Sequence, residues 1–184
     1  MFNTRRKKQM KERTLEEKRI FTGNLLNFNA DRVLLENGIK TYREYVSHPG
    51  AVAALPFLTN KDIILVKQYR YPTDEFLLEI PAGTIKKGET PEQTIIRELQ
   101  EEINYKPRKL EDLGWIYLSP GYSSEKIYLF KATELEVCSL RAEEEENIEI
   151  VEMKIEEVVS KINSGEIKDG KTVISVLSYI NRTV

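Results

Sequence analysis

The sequence predicts an α/β protein, a sandwich of mixed strands and helices with its first hairpins set apart as an accessory sheet. Three observations carry this. Compact apolar runs, Gly50–Leu58 and Ile63–Tyr69 foremost, have the length and β-branched content of buried strands. A sharply bounded helix follows at Thr90–Ile103, and two more helical stretches close the chain at Ile155–Ile162 and Lys171–Ile180. Mixed strands that give way to helices in this order fit a layered α/β core.

Taken in order, Arg19–Phe28 alternates as a strand does, and Arg32–Leu35 with Thr41–Val46 reads as a hairpin. Its turn signal is Asn37-Gly38, which suits a type I′ turn with positive φ at both central residues. Thr59-Asn60-Lys61-Asp62 joins the two apolar strands, and Phe76–Ile80 is a further short strand. In the helix, Thr90 is the N-cap, Pro91 sits at N1 and Gln93 at N3 completes a capping box. Asn104 suits a left-handed cap, and Pro107 blocks continuation. Leu113–Leu118 and Lys126–Lys131 read as strands around the turn Ser119-Pro120-Gly121-Tyr122, and Ile148–Lys154 as the last strand. Trp115 is expected in the core, and His48, ahead of Pro49-Gly50, in a structural role.

Composition narrows the chemistry. The chain has 184 residues, enough for one well-buried core with a small accessory region. One cysteine, Cys138, rules out an intrachain disulfide, and one histidine, His48, leaves no Cys/His zinc cage. A metal site here has to be built from oxygen ligands. Net charge is −2, from 28 basic and 30 acidic residues, so no global field favours nucleic acid. No apolar run approaches the roughly 18 residues of a membrane span, and the charged start lacks a secretory signal. A cytoplasmic location is expected.

The Thr90–Ile103 helix carries the chemical signal. At about 100° per residue, Ile95, Ile96, Leu99 and Ile103 share one arc, the expected buried face. Glu98, Glu101 and Glu102 stack on a neighbouring arc and repel one another by a few tenths of a kcal/mol per pair or more. Arg97 answers part of that charge. A divalent cation answers the rest, and magnesium favours hard oxygen ligands shared with phosphates. A lone Glu-x-x-Glu-Glu is more often a solvated helix face. Here the loop Pro81–Glu89 leads straight into it, and glycines 83 and 88 let backbone approach a ligand closely.

The run GTIKKGETPEQTIIRELQEEINY resembles the Nudix box: Gly, five residues, Glu, seven residues, Arg-Glu, an aliphatic, any residue, Glu-Glu, any residue, Gly, an aliphatic. Gly83, Glu89, Arg97, Glu98, Leu99, Glu101 and Glu102 stand in register, while Asn104 replaces the terminal glycine and Tyr105 the aliphatic. The resemblance implies an α/β/α Nudix sandwich with a mixed sheet, over 49–184, that hydrolyses nucleoside diphosphate derivatives. It implies Glu98 and Glu102 as principal metal ligands and Glu101 as a further ligand or organiser of water. The Ala82 carbonyl completes the set, with more than one Mg2+ per site and Mn2+ as the substitute. Glu89 and Arg97 form the charge pair that fastens loop to helix.

Within the superfamily the chain looks like the ADP-ribose pyrophosphatases. Gln68-Tyr69-Arg70, Leu78-Glu79-Ile80-Pro81-Ala82-Gly83, Ser119-Pro120-Gly121 and Ala142–Glu146 carry that likeness. It implies Arg70 on the phosphates, Glu79 in contact with substrate, metal or Arg70, Pro120 and Gly121 near the terminal ribose, and a general base from the acidic loop, Glu146 ahead of Glu144. Isolated, each has a plainer role: Arg70 an ion-pair partner, Glu79 a strand-end charge, Ser119–Gly121 a turn, the acidic run a solvated loop. The likeness also implies a homodimer with a swapped N-terminal β region, 15–48, behind a flexible basic segment, 1–14. Arg19 and Phe21 would then meet the nucleoside, although core or interface packing is the commoner use of Phe21 and Phe28. The rival activities are hydrolysis of other nucleoside diphosphate sugars, FAD or dinucleotides, and non-catalytic ADP-ribose sensing.

Overall fold

The computed structural model describes residues 11–138 and 148–183. The sequence-predicted bases Glu144 and Glu146 lie outside the described residues. The elements are β1 (Arg13–Glu16), β2 (Arg19–Thr22), β3 (Asn27–Leu34), β4 (Lys40–Ser47), β5 (Ala51–Pro56), β6 (Asp62–Arg70), β7 (Glu75–Glu79) and β8 (Ala82–Thr84). They continue as α1 (Pro91–Ile103), β9 (Tyr105–Tyr117), β10 (Lys126–Val137), β11 (Ile148–Lys154), α2 (Ile155–Asn163) and α3 (Gly170–Thr183). Contacts divide the chain into two compact units, Met1–His48 with Ser119–Ser124, and Pro49–Leu118 with Glu125–Val184.

In the smaller unit, β3 is the spine of an antiparallel sheet. It pairs with β4 along its whole length, and β1 and β2 pair with successive parts of it. The hairpin between β3 and β4 is real, but its turn is not type I′. Gly38 N–H donates to Leu35 O at 3.0 Å and Leu35 N–H to Ile39 O at 2.9 Å. Only Gly38 has positive φ, +83°, while Asn37 stays in ordinary φ space and its Oδ1 accepts the Ile39 N–H at 3.1 Å. This is the longer loop in which a type I turn ends on a left-handed glycine, so one extra residue displaces the Asn-Gly rule. The expected strand Arg19–Phe28 is likewise broken, by a bend at residues 23–26 where Gly23 N–H donates to Leu26 O at 2.9 Å. The turn at Ser119 belongs to this unit: Tyr122 N–H donates to Ser119 O, and Val46 N–H to Tyr122 O.

The larger unit is built around β5. Its order is β8-β5-β10-β9 in one sheet, with β5 and β10 parallel and the other pairs antiparallel; β11-β6-β7 forms a second, antiparallel sheet. Every residue of β5 is buried. Ala51, Ala53 and Leu55 pack with Val158 of α2 and Val176 of α3, whereas Val52 and Ala54 pack with Ile95, Leu99 and Ile103 of α1. Ile63 and Leu65 of β6 side with the first group, Ile64 and Val66 with the second. Strand alternation therefore distributes one apolar run between two helical layers. The three α1 anchors, none more than 1% exposed, each contribute about 1.5–3 kcal/mol of apolar burial.

The ends of α1 follow the local code. Thr90 has extended backbone, its side chain accepts from Gln93 N–H at 3.3 Å, and Gln93 returns a bond to Thr90 N–H at 2.9 Å. Asn104 sits at φ +60° and donates to Leu99 O, closing the helix. Ile96 is only partly covered; Thr94 and Glu98 take the buried places beside Ile95 and Leu99. Three strand expectations change. β9 begins at Tyr105 rather than Leu113 and runs through Pro107, which an edge strand tolerates. β10 extends to Val137 opposite it. Ala82–Thr84, read as loop, pairs with Ala51–Ala53 as β8. Trp115 is not core: it is 51% exposed on β9, edge-on to Tyr117 at 5.2 Å and with Lys126 Nζ 4.2 Å from its ring centroid.

Candidate active site

The short strand β8 and the helix α1 bring backbone and carboxylates together. A Cβ built on Gly83 would lie 2.0 Å from Glu98 Cδ and 2.1 Å from its Oε1. The φ of Gly83 is not positive, so space rather than torsion demands glycine here. One turn along α1, Glu102 Oε2 accepts the Ala82 N–H at 3.1 Å. Two carboxylates at helical spacing thus close on the backbone of Ala82–Gly83.

Arg97 organises the other acidic groups. Its Nε and Nη2 grip Glu89 Oε1 and Oε2 at 2.9 and 3.0 Å, a two-bond fork that pins the loop onto the helix. Nη1 lies 2.8 Å from Glu98 Oε1 and 2.7 Å from Glu101 Oε2. Arg97, opposed by burial and helped by the Thr94 hydroxyl and the Lys86 N–H, holds the Glu89 carboxyl at about 2. The same hydrogen bonds raise the Arg97 pKa, so it stays a cation. One positive charge therefore faces three carboxylates, and Glu102 stands beside them.

The donor set fits a hard divalent cation: oxygen ligands only, a half-buried concentration of negative charge, and a backbone cradle that any side chain at position 83 would fill. Among the described residues, no group of three or more acidic, His or Cys side chains stands gathered in coordinating range. Glu98 and Glu101 each place an oxygen within 2.8 Å of Arg97 Nη1, and Glu102 accepts the Ala82 N–H. Glu98, Glu101 and Glu102, with the Ala82 backbone, are the oxygen donors that a cation would meet here.

Beside this centre, Arg70 and Glu79 form a second fork. Arg70 Nε donates to Glu79 Oε1 at 2.7 Å and Nη2 to Oε2 at 2.6 Å. Glu79 is 1% exposed, whereas the Arg70 side chain is 40% exposed. Burial pushes Glu79 up, but the bonds from Arg70 and the charge of Lys171 outweigh it and hold the carboxyl below its usual range. The structure thus selects one of the contacts expected for Glu79, the one with Arg70. Sequence reasoning missed Lys171, Asp169 and Thr172 around it. Asp169 Oδ2 accepts from Thr172 N–H and Oγ1 at 3.0 and 2.5 Å, which is an N-cap signal visible in the chain; that Lys171 turns inward is not.

The remaining candidates belong to the smaller unit. Phe21 is 64% exposed opposite Phe28 in the β2–β3 pair, so neither fills that unit's core. Arg19 Nε reaches Asn29 Oδ1 at 3.4 Å, in a polar cleft of about 390 Å³ lined also by Lys18, Asp31, Tyr45 and Ser47. Asp31 in that cleft accepts the Lys18 N–H and the Tyr45 hydroxyl, both at 3.0 Å. Pro120 and Gly121 sit in the turn against β4. His48 donates its backbone N–H to Ser124 Oγ at 3.0 Å.

Known proteins resemble this arrangement along most of its length. The family model described as NUDIX domain matches residues 47–173. An ADP-ribose pyrophosphatase of Bacillus subtilis is 39% identical over 171 residues, 92% of each chain. A methanol dehydrogenase activator of Bacillus methanolicus is 38% identical over the same share of each chain. A GDP-mannose pyrophosphatase of Yersinia enterocolitica is 36% identical over 139 residues, 71% of this chain and 72% of its own. A crystal structure of an ADP compounds hydrolase superposes with a TM-score of 0.84 across 95% of both chains at 21% identity, a likeness of fold.

Proposed function

The chain belongs to the NUDIX family, and we propose that it hydrolyses the diphosphate bond of ADP-ribose or a related ADP-sugar to AMP and a sugar phosphate. The observation that carries this reading is the closure of Glu98 and Glu102 on Ala82–Gly83. Nudix hydrolases generally use divalent cations, and here we assign Mg2+, replaceable by Mn2+, with more than one ion per site. When bound, the cations neutralise the diphosphate, polarise the attacked phosphorus and lower the pKa of the attacking water.

The chain's own residues divide the remaining work. Glu98 and Glu102 hold the cations, with the Ala82 carbonyl, and Glu101 ligates or orders water. Glu89 and Arg97 keep β8 and α1 at fixed separation. Arg70 presents its guanidinium to the phosphates, a planar fork suited to two oxygens. Glu146, or Glu144 in its place, removes the proton from the attacking water. Pro120 and Gly121 shape the ribose end, and Arg19 with Phe21 meets the adenosine.

That last role goes with a homodimer formed through the N-terminal sheet. Ile20, Phe21, Leu25, Leu26, Ile39 and Tyr42, all at least 42% exposed, supply apolar surface that a partner would cover. A cytoplasmic location is in keeping with the reading; no described helix is long and apolar enough to cross a membrane. The GDP-mannose pyrophosphatase relatives favour a second reading, hydrolysis of another nucleoside diphosphate sugar, over a shorter matched length. A sensor without activity would not need the intact box carboxylates.

Products from a panel of nucleoside diphosphate derivatives, with ¹⁸O-labelled water to locate the attacked phosphorus, decide among these. AMP and ribose 5-phosphate are expected; a preference for GDP-mannose would favour the second reading. Glu98→Gln should lower kcat roughly 10³-fold without loss of fold. EDTA should abolish turnover and Mg2+ restore it, and full activity after chelation would refute the metal assignment.

A further inference from the structure

Glu79 is the most buried carboxylate among the described residues, at 1% exposed, and one guanidinium already satisfies it through two parallel bonds. A second cation is nevertheless brought to it. Lys171, 8% exposed, places Nζ in a hydrogen bond with Glu79 Oε2 and 3.1 Å from Asp169 Oδ2. Burying an ammonium costs several kcal/mol unless it is closely paired, so this lysine is held there by design of the contacts around it. Asp169 both caps α3 and pairs the lysine. Thr172 Oγ1 accepts the Ile80 N–H at 2.9 Å, so the same helix turn fixes the backbone next to Glu79 as well as its side chain.

The geometry has a directional consequence. Arg70 meets Glu79 through its Nε–Nη2 edge, and the Nη1 side of the guanidinium lies outside that fork. The plane of the guanidinium follows the plane of the carboxylate, and Lys171 fixes where one of the two carboxylate oxygens lies. We propose that Lys171 is a positioning residue for the reaction: it locks Glu79 so that Arg70 is aimed at the diphosphate of the substrate. The inference rests on the reading of Arg70 as a diphosphate-binding residue. Lys171 touches no reacting atom and acts only through Glu79.

A double-mutant cycle on the full chain with Mg2+ and ADP-ribose tests it. Arg70→Ala should raise KM at least tenfold. Lys171→Met should raise KM roughly tenfold with kcat within about threefold of wild type, because aim rather than chemistry is lost. In the Arg70→Ala background, Lys171→Met should change KM less than about twofold. Lys171→Gln enters the same cycle where the methionine form does not fold. A wild-type KM for Arg70→Ala overturns the reading of Arg70 and this inference with it. A raised KM for Arg70→Ala beside a wild-type KM for the Lys171 variants, or an equal Lys171 effect in both backgrounds, overturns the inference alone.

Discussion

Replacing Gly83 by alanine isolates the contact on which the metal assignment depends. The new methyl carbon would stand 2.0 Å from Glu98 Cδ and 2.5 Å from its Cγ, where carbon atoms rest about 3.5–4.0 Å apart. A separation of roughly 1.5 Å therefore has to open. Rotating the carboxylate cannot supply it, because Cγ is inside the clash as well. Either Glu98 leaves its rotamer or β8 lifts from its pairing with Val52. Backbone torsion adds nothing, since the φ of Gly83 is one that alanine adopts. Overpacking of this kind costs about 1–3 kcal/mol of stability. Displacing a ligand by an ångström or more costs on the order of 10²-fold in rate. Three measurements read the outcome: Mg2+-dependent AMP release, Mn2+ affinity by electron paramagnetic resonance, and thermal melting. We expect a modest fall in Tm, weaker Mn2+ binding and kcat/KM reduced about 10²-fold or more. A Gly83→Ala protein with kcat/KM within about threefold of wild type and unchanged Mn2+ affinity would refute the reasoning.

Two further outcomes follow from the site. Glu89 is held at about 2 against an ordinary 4.5, so its contribution to stability is complete above about 4.5 and lost as pH falls through about 2. Glu89→Gln should then be less stable than wild type at neutral pH by an amount on the order of 1 kcal/mol, the partly exposed pair being screened by solvent. That difference should shrink in urea melts below about pH 4, and a pH-independent gap would count against the Arg97 fork. In the acidic run of the sequence, Glu146→Gln should lower kcat more than it weakens binding of ADP-ribose; a larger rate defect in Glu144→Gln would move the base to that residue.

What was legible in the sequence was what local rules determine. Thr90, Pro91, Gln93 and Asn104 specify both ends of α1 within a few residues of chain, and the structure reproduces each cap. The spacing of Gly83, Glu89, Arg97, Glu98 and Glu102 was equally local, whereas the pairing of β8 with β5 that holds Gly83 in place was not. Partner-dependent features were not legible. Tyr105–Asp112 is charged and contains a proline, and it becomes strand only because β10 lies alongside. Asn37-Gly38 announced a turn, but the hydrogen bond from Leu35 N–H to Ile39 O decided its type. Trp115 carries no local mark of facing outward on an edge strand. Lys171 reads as an ordinary helical lysine until Glu79, far away in sequence, is folded beneath it.

The strand β5 has one more implication. Three of its six residues are alanine, and it touches helices on both sides while pairing directly with β8 through Ala53↔Ala82 and Val52↔Gly83. It therefore acts as a shim whose thickness sets the clearance between layers. A methyl added on the Ala54 side would push against α1 and shift Glu98 and Glu102 relative to Ala82–Gly83; the same addition at Ala53 would press towards α2 and α3 instead. Two neighbouring alanines, chemically identical and equally hidden, thus have opposite tolerances: one gauges the clearance between β8 and α1, the other only the fit of the outer helices.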